Sequence, residues 1–188
     1  MFTRIRRSQI ESVRSFFNFA AKSQSQTYQI SKILNGPPSQ LFQIVSQVDN
    51  YKLFVPFVED SYILSRDSQG FPSNAGLKVG WKDITEKFDC ELDCIENVKV
   101  SAKSIELELF EFLETEWIFR NVEGSSNEDQ CKIDFKLNYK FKNPIYDKLS
   151  FMFAPQVTEI MIGAFEKRLK QMKRDEMMSK FKNRQAKL

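Results

Sequence analysis

From Cys131 to Phe141 apolar and polar residues alternate without an error: Cys131, Ile133, Phe135, Leu137, Tyr139 and Phe141 against Lys132, Asp134, Lys136, Asn138 and Lys140. A strand points successive side chains to opposite faces, so this segment has one apolar face and one wet face. After Lys142-Asn143-Pro144 the period changes: Ile145, Leu149, Met152/Phe153, Val157, Ile160/Met161 and Ala164/Phe165 recur at helical spacing. Residues 28–34 and 87–94 alternate in the same way as 131–141, and strands are predicted near 58–66, 74–82, 84–95, 97–105, 109–122 and 130–141. Turn clusters separate several of them, notably Arg66-Asp67-Ser68-Gln69-Gly70, Glu96-Asn97 and Glu123-Gly124-Ser125-Ser126-Asn127. After the first strand, Asn35-Gly36-Pro37-Pro38 turns the chain into a short helix, 39–48, whose inward residues are Leu41, Phe42, Ile44, Val45 and Val48. The order strand, helix, strand meander, long helix predicts an α+β fold. A curved antiparallel sheet of about six or seven strands closes over a long C-terminal helix, 144–182. Pro155 falls inside that helix and either starts its main part or kinks it.

Composition narrows the chemistry. The 188 residues suit one domain with a proper core. Eighteen phenylalanines against two tryptophans and five tyrosines make the interior aromatic but poor in functional groups, as either a filled core or a greasy cavity would be. Histidine is absent, which removes the commonest general base and metal ligand and excludes Ser-His-Asp and Cys-His sites. The three cysteines form no disulfide framework and lack the partners of a zinc site. Cys90, Cys94 and Cys131 lie on inward strand faces, as small buried hydrophobes suited to a reducing compartment.

Charge is distributed unevenly. Residues 1–22 carry +4 and 166–188 carry +6, which leaves 23–165 at −7 within a whole-chain charge of +3. The first segment has Arg4, Arg6, Arg7, Arg14 and Lys22 against Glu11, with Phe2, Ile5, Val13, Phe16 and Ala20 spaced to form an apolar side. It is expected to be a mitochondrial transit peptide, cleaved near residues 18–28, or else a disordered basic arm. The expected organisation is therefore 1–27 as presequence or arm, 28–169 as the folded domain, and 170–188 as a basic helical tail. That tail is either a solvated helix end or a contact for an anionic membrane surface. No run approaches 18 uninterrupted apolar residues, so no membrane span is expected.

Six blocks in order carry a resemblance. They are Leu41-Phe42-Gln43-Ile44-Val45 with Val48-Asp49-Asn50-Tyr51; Phe54-Val55-Pro56-Phe57-Val58; Ala75-Gly76-Leu77-Lys78-Val79-Gly80-Trp81; Leu113-Glu114-Thr115-Glu116-Trp117-Ile118-Phe119; Phe141-Lys142-Asn143-Pro144-Ile145-Tyr146; and Ala164-Phe165-Glu166-Lys167-Arg168. Over about residues 28–168 the chain resembles the mitochondrial coenzyme Q-binding START-domain proteins, in the polyketide cyclase-like branch of the helix-grip superfamily. The resemblance implies a non-enzymatic lipid chaperone for coenzyme Q (ubiquinone) or its prenylated precursors. Such a protein supports respiratory electron transport and quinone biosynthesis from the matrix side of the inner membrane, bound to it peripherally. It would need no catalytic cofactor; coenzyme Q would be its bound ligand. Quinone-synthesis or respiratory-chain complexes are candidate partners, and nucleic acid is not.

A prenylated quinone needs a deep apolar wall and a few donors for its carbonyls. The inward faces supply candidates for that wall: Leu77, Val79, Trp81, Phe88, Leu92, Trp117, Phe119, Phe135 and Tyr139 on the strands, and Phe153, Val157, Ile160, Met161 and Phe165 on the helix. Trp81 and Trp117 combine a large apolar body with one N–H donor, which suits a quinone head. Phe54, Val55, Pro56 and Phe57 are candidates for a tunnel mouth dipping into the membrane interface, or for a lid packed on the core. The same inward faces would also describe a filled core. Glu106, Glu108, Glu111, Glu114 and Glu116 mostly alternate with apolar residues and are expected in solvent. The alternatives are a cyclase-like enzyme acting on a quinone precursor through Tyr, Asp or Glu, and an assembly partner of quinone-synthesis enzymes that carries no lipid.

Overall fold

The computed structural model describes residues 25–185 other than 82, 83, 106, 107, 109 and 123–128, without the side chains of Trp81, Ile84, residues 144–155 and Val157. The presequence expectation for residues 1–27 falls almost wholly outside the described residues. The described residues form seven strands and two α-helices: β1 (Gln26–Leu34), α1 (Pro38–Ser46), β2 (Val58–Arg66), β3 (Pro72–Trp81), β4 (Ile84–Ile95), β5 (Lys99–Ile105), β6 (Phe110–Asn121), β7 (Cys131–Phe141) and α2 (Pro144–Gln185). A 3-10 helix, Val48–Leu53, links α1 to β2. It takes up Val48, Asp49 and Asn50, which the sequence pattern placed at the end of the first helix.

The strands form one antiparallel sheet in the order β1-β7-β6-β5-β4-β3-β2. Strands β2 to β7 are a plain meander, and β1 closes the far edge on β7. The alternation of 131–141 appears directly as burial: Cys131, Ile133, Phe135 and Tyr139 are buried, while Lys132 and Lys136 are exposed. Strand β5 starts at Lys99, two residues later than its pattern suggested, because Asn97 sits in the left-handed region (φ 59°) and turns the β4–β5 hairpin.

Helix α1 begins at Pro38, where the missing proline N–H costs no helix bond. It buries Leu41, Phe42, Ile44 and Val45 against the sheet and α2. Helix α2 runs unbroken through Pro155, so that proline neither starts it nor ends it. Its body-facing line is Thr158, Ile162, Phe165 and Leu169, all at most 2% exposed. Phe165 lies 4.8 Å from the Trp117 ring, and Trp117 lies 4.5 Å from Phe135 (centroid distances), which fixes the helix on the sheet's inner face. The turn after β1 comes so close to the helix that a Cβ on Gly36 would meet Leu169 Cδ1 at 2.8 Å.

Candidate functional site

Directly opposed residues in adjacent strands point to the same face of a sheet. Trp117 therefore identifies the whole inner face through the register. One row runs Cys94, Val100, Trp117, Phe135, Ile30; the next runs Leu92, Ala102, Thr115, Leu137, Tyr28. Farther along, Cys90 faces Ser104 and Ala75, Phe88 faces Leu77, and Glu86 faces Val79.

The inner face divides into two halves of different density. Around α1 and the second half of α2, Leu34, Leu41, Val100, Trp117, Phe119 and Phe165 belong to a continuous cluster of buried residues. Around β3 and β4, Ala75 and Glu86 are buried on this face, and the second, smaller cluster has just Phe88 and Cys90 as buried members. Leu77, Val79, Leu92, Ala102, Phe110 and Leu113 pack against them yet remain half-exposed, although they lie on the gripped side of the sheet. An inner face that keeps apolar surface accessible is a part-filled cleft. This half is the candidate site, and the dense cluster closes its far end.

The candidates named from sequence divide between these halves. Leu77, Val79, Phe88 and Leu92 come together in the part-filled half. Tyr139 joins them through Phe110, 5.8 Å between ring centroids, and stacks on Tyr28 at 6.1 Å. Trp117, Phe119, Phe135 and Phe165 are members of the dense cluster, with Met161 packed on it. Ile160 differs from its expected inward position: it is 44% exposed. The run Ile160-Met161-Ile162 offers three apolar residues in succession, and the helix turns so that Ile162 is the buried one. The side chains of Trp81, Phe153 and Val157 lie outside the description.

The segment 54–57 is divided in the same way. Val55 is buried at 6% exposure and Phe54 packs on the dense cluster, 5.2 Å from Phe165, so these two form an inward anchor rather than a free apolar tip. Pro56 and Phe57 are exposed, and so is Leu53, at 71%. Phe57 holds φ 70°, an uncommon conformation for a bulky residue, with its carbonyl accepting the Gly80 N–H at 2.8 Å. The loop is thereby tied to β3 one residue before Trp81. Its base is fixed by Ser61, whose Oγ accepts the Lys52 N–H and donates to the Asp49 carbonyl.

Polar groups on the inner face were missed in the sequence. Glu86 is 5% exposed on the same face as Phe88 and Val79, and its Oε1 accepts the Glu108 backbone N–H at 2.8 Å. Ser104 Oγ accepts the Leu113 N–H, and Thr115 stands opposite Ala102. The even parity that Glu86 shares with Phe88, Cys90 and Leu92 was the available signal. Burial raises the thiols, Cys90 to about 12 and Cys94 and Cys131 to about 11, so they are neutral and poorly nucleophilic at ordinary pH. Among the described residues no cluster of three or more Cys, Asp or Glu could hold a metal ion, and no helix is long and apolar enough to cross a membrane. An open depression of about 500 Å3 lies away from the cleft, between the start of α1 and the β4–β5 turn. Asn97, Arg120 and Asn121 on its rim make it too polar for a lipid tail.

Comparison with known proteins agrees with this fold. Residues 34–166 match the family model described as polyketide cyclase / dehydrase and lipid transport, which places the chain in that class. A START superfamily protein from Mycobacterium smegmatis shares the fold with a TM-score of 0.66 at 20% identity, over 78% of this chain and 98% of that one. Two curated relatives are nearer in sequence, both named coenzyme Q-binding protein COQ10, mitochondrial. The one from Eremothecium gossypii is 33% identical over 87% of this chain and 82% of its own length. The one from Saccharomyces cerevisiae is 34% identical over 82% of this chain and 77% of its own length. The chain belongs to the mitochondrial coenzyme Q-binding COQ10 family.

Proposed function

We propose that this protein binds coenzyme Q or its prenylated precursors in the part-filled half of the grip and carries them without chemical turnover. It would act peripherally at the matrix side of the mitochondrial inner membrane, in support of respiratory electron transport and quinone synthesis. The observation that carries the reading is the half-exposed apolar surface of Leu77, Val79, Leu92 and Leu113 inside the sheet's curve. Apolar area left accessible in a folded interior is binding surface at about 25 cal/mol per Å2 covered. The names of the COQ10 relatives supply the chemistry of the ligand. A polyprenyl tail is already satisfied in the bilayer, so net affinity is the small difference between two apolar environments, which favours exchange over storage. Leu53, Pro56 and Phe57 are the parts of the 53–57 loop exposed for contact at the mouth. The folded unit would end near residue 169, with the presequence before it and the basic tail after it.

Lipid extraction of protein purified from a quinone-replete host, followed by mass spectrometry, is expected to yield coenzyme Q or a prenylated precursor. Leu77→Glu and Leu92→Glu place a charge in the cleft without touching the dense cluster. They are expected to remain folded by circular dichroism and to lose the lipid. Folded parent protein that repeatedly yields no prenylated quinone would overturn the reading.

Glu86 favours a second reading. A nearly buried carboxylate on the inner face of a fold whose family description includes cyclases and dehydrases could act as an acid or base. In that case purified protein converts a prenylated phenolic precursor, and Glu86→Gln abolishes conversion while leaving lipid content unchanged. Absence of product from loaded parent protein removes this alternative.

A further inference from the structure

Helix α2 is far longer than the sheet needs. Its 42 residues span about 63 Å at 1.5 Å per residue, whereas the longest strands have 12 residues, about 40 Å. The body-facing line ends with Leu169 and the half-buried Met172, and from Arg174 to Gln185 every residue is exposed. Among the described residues, the tie from this stretch to the body is Gln40 Nε2 donating to the Glu176 carboxylate at 3.3 Å.

The exposed stretch is not a plain polar helix end. Met177, Met178 and Phe181 are 57%, 59% and 59% exposed. At 100° per residue they share one face, about 150° round the helix from the line of Leu169, Met172 and Glu176. They cannot turn inward without breaking that line. Lys170 and Arg174 precede them on the same face, Arg184 follows, and Lys173, Lys180 and Lys182 flank it, so residues 170–185 hold six cations against Asp175 and Glu176. Long basic side chains beside an apolar stripe can lay their stems along it and lift their charges to phosphate level.

We propose that the outer face of residues 170–185 is a docking surface for an anionic lipid bilayer. Met177, Met178 and Phe181 enter the headgroup–acyl boundary, and the surrounding lysines and arginines pair with lipid phosphates. Charge complementarity selects the partner: the face presents cations around apolar side chains, which matches an anionic interface with hydrocarbon beneath it. A polyanion without hydrocarbon would leave the Met-Met-Phe stripe uncovered. This surface is separate from the 53–57 loop, since Phe54 and Arg168 meet on another side of α2. It does not depend on what the cleft carries.

Flotation of the full chain with quinone-free vesicles tests it. Binding is expected to be weak on phosphatidylcholine alone, strong when phosphatidylglycerol is added, and to fall as salt is raised. A Met177→Ser, Met178→Ser, Phe181→Ser variant is expected to lose at least about tenfold in partitioning. Neutralising Lys180, Lys182 and Arg184 to Gln is expected to lose on the order of a hundredfold at low salt, about fivefold per cation. A control variant at exposed apolar positions with no assigned role, Leu64→Ser with Ile95→Ser, keeps the binding to anionic vesicles. All these positions are exposed, and unchanged circular dichroism and lipid content confirm intact folds. Undiminished binding by the triple serine variant overturns the proposal. So does loss in the Leu64→Ser, Ile95→Ser control alone, or tighter binding to single-stranded polynucleotide that depends on the cations and not on the stripe. Failure of quinone extraction leaves this result untouched, so the two readings fail separately.

Discussion

Trp117 shows how much one side chain supports. It is 4% exposed and lies between Phe135 on the neighbouring strand and Phe165 on the helix. Its loss opens a cavity that three elements must close. Trp117→Ala is expected to cost about 3–5 kcal/mol in urea unfolding, against about 0.5 kcal/mol for an exposed change such as Lys136→Ala. Cysteine ionisation tests burial on the same scale. The folded thiols sit at about 11 to 12 against an ordinary value of 9.0, because burial penalises the thiolate. The folded state therefore holds these protons more tightly than the unfolded state. Their contribution is fully present below pH 9 and is lost as pH rises from 9 through 12. Burial raises the Tyr51 hydroxyl as well, in the same direction. Unfolding free energy is expected to fall across that window, and alkylation of native protein at pH 8 to be much slower than that of denatured protein.

At the scale of elements, sheet and helix were legible from period alone, because alternation and helical spacing are local consequences of backbone geometry. The phase of α2 was not. Ile160, Met161 and Ile162 are equally apolar, and contact with Phe165, Trp117 and the β1 turn decides that Ile162 is buried and Ile160 exposed. The outer face of the sheet holds another contact invisible in a linear reading. Tyr62 lies across Gly76, its pairing partner, and its hydroxyl donates to Asp89 Oδ1 at 2.9 Å. A Cβ at Gly76 would fall 2.1 Å from the ring. Gly76→Ala is expected to destabilise by about 1–3 kcal/mol, and by much less in a Tyr62→Ala background. A double-mutant cycle by urea unfolding measures the difference.

For the whole molecule, the division into a dense half and a part-filled half is the main finding. On the proposed function, one end of the grip is the support and the other is where an apolar ligand would exchange. The long helix links them and overruns the body. Among the described residues, truncation after Lys173 removes only exposed ones and the surface Gln40–Glu176 bonds. It is expected to change unfolding free energy by no more than about 1 kcal/mol while abolishing attachment to anionic vesicles. A larger loss of stability would mean that the overhang supports the fold.

Two kinds of information separate here. The sequence by itself determined the element order, the inward faces of the strands, the aromatic character of the interior, the absence of histidine chemistry and, through six ordered blocks, the family. All of these are properties of residues near one another in the chain or of composition. The tertiary structure alone decided which inward residues are packed solid and which still face open space. Leu77 and Trp117 both sit at inward positions of alternating strands, yet Leu77 remains half-exposed while Trp117 is enclosed by Phe135 and Phe165. It also decided that Val55 is an anchor beside the exposed Leu53 and Phe57, that Glu86 is buried in an apolar wall, and that Met177, Met178 and Phe181 are left uncovered. Alternation assigns a side chain to a face of the sheet. What fills the space in front of that face depends on residues far away in the chain, and only the folded arrangement brings them there.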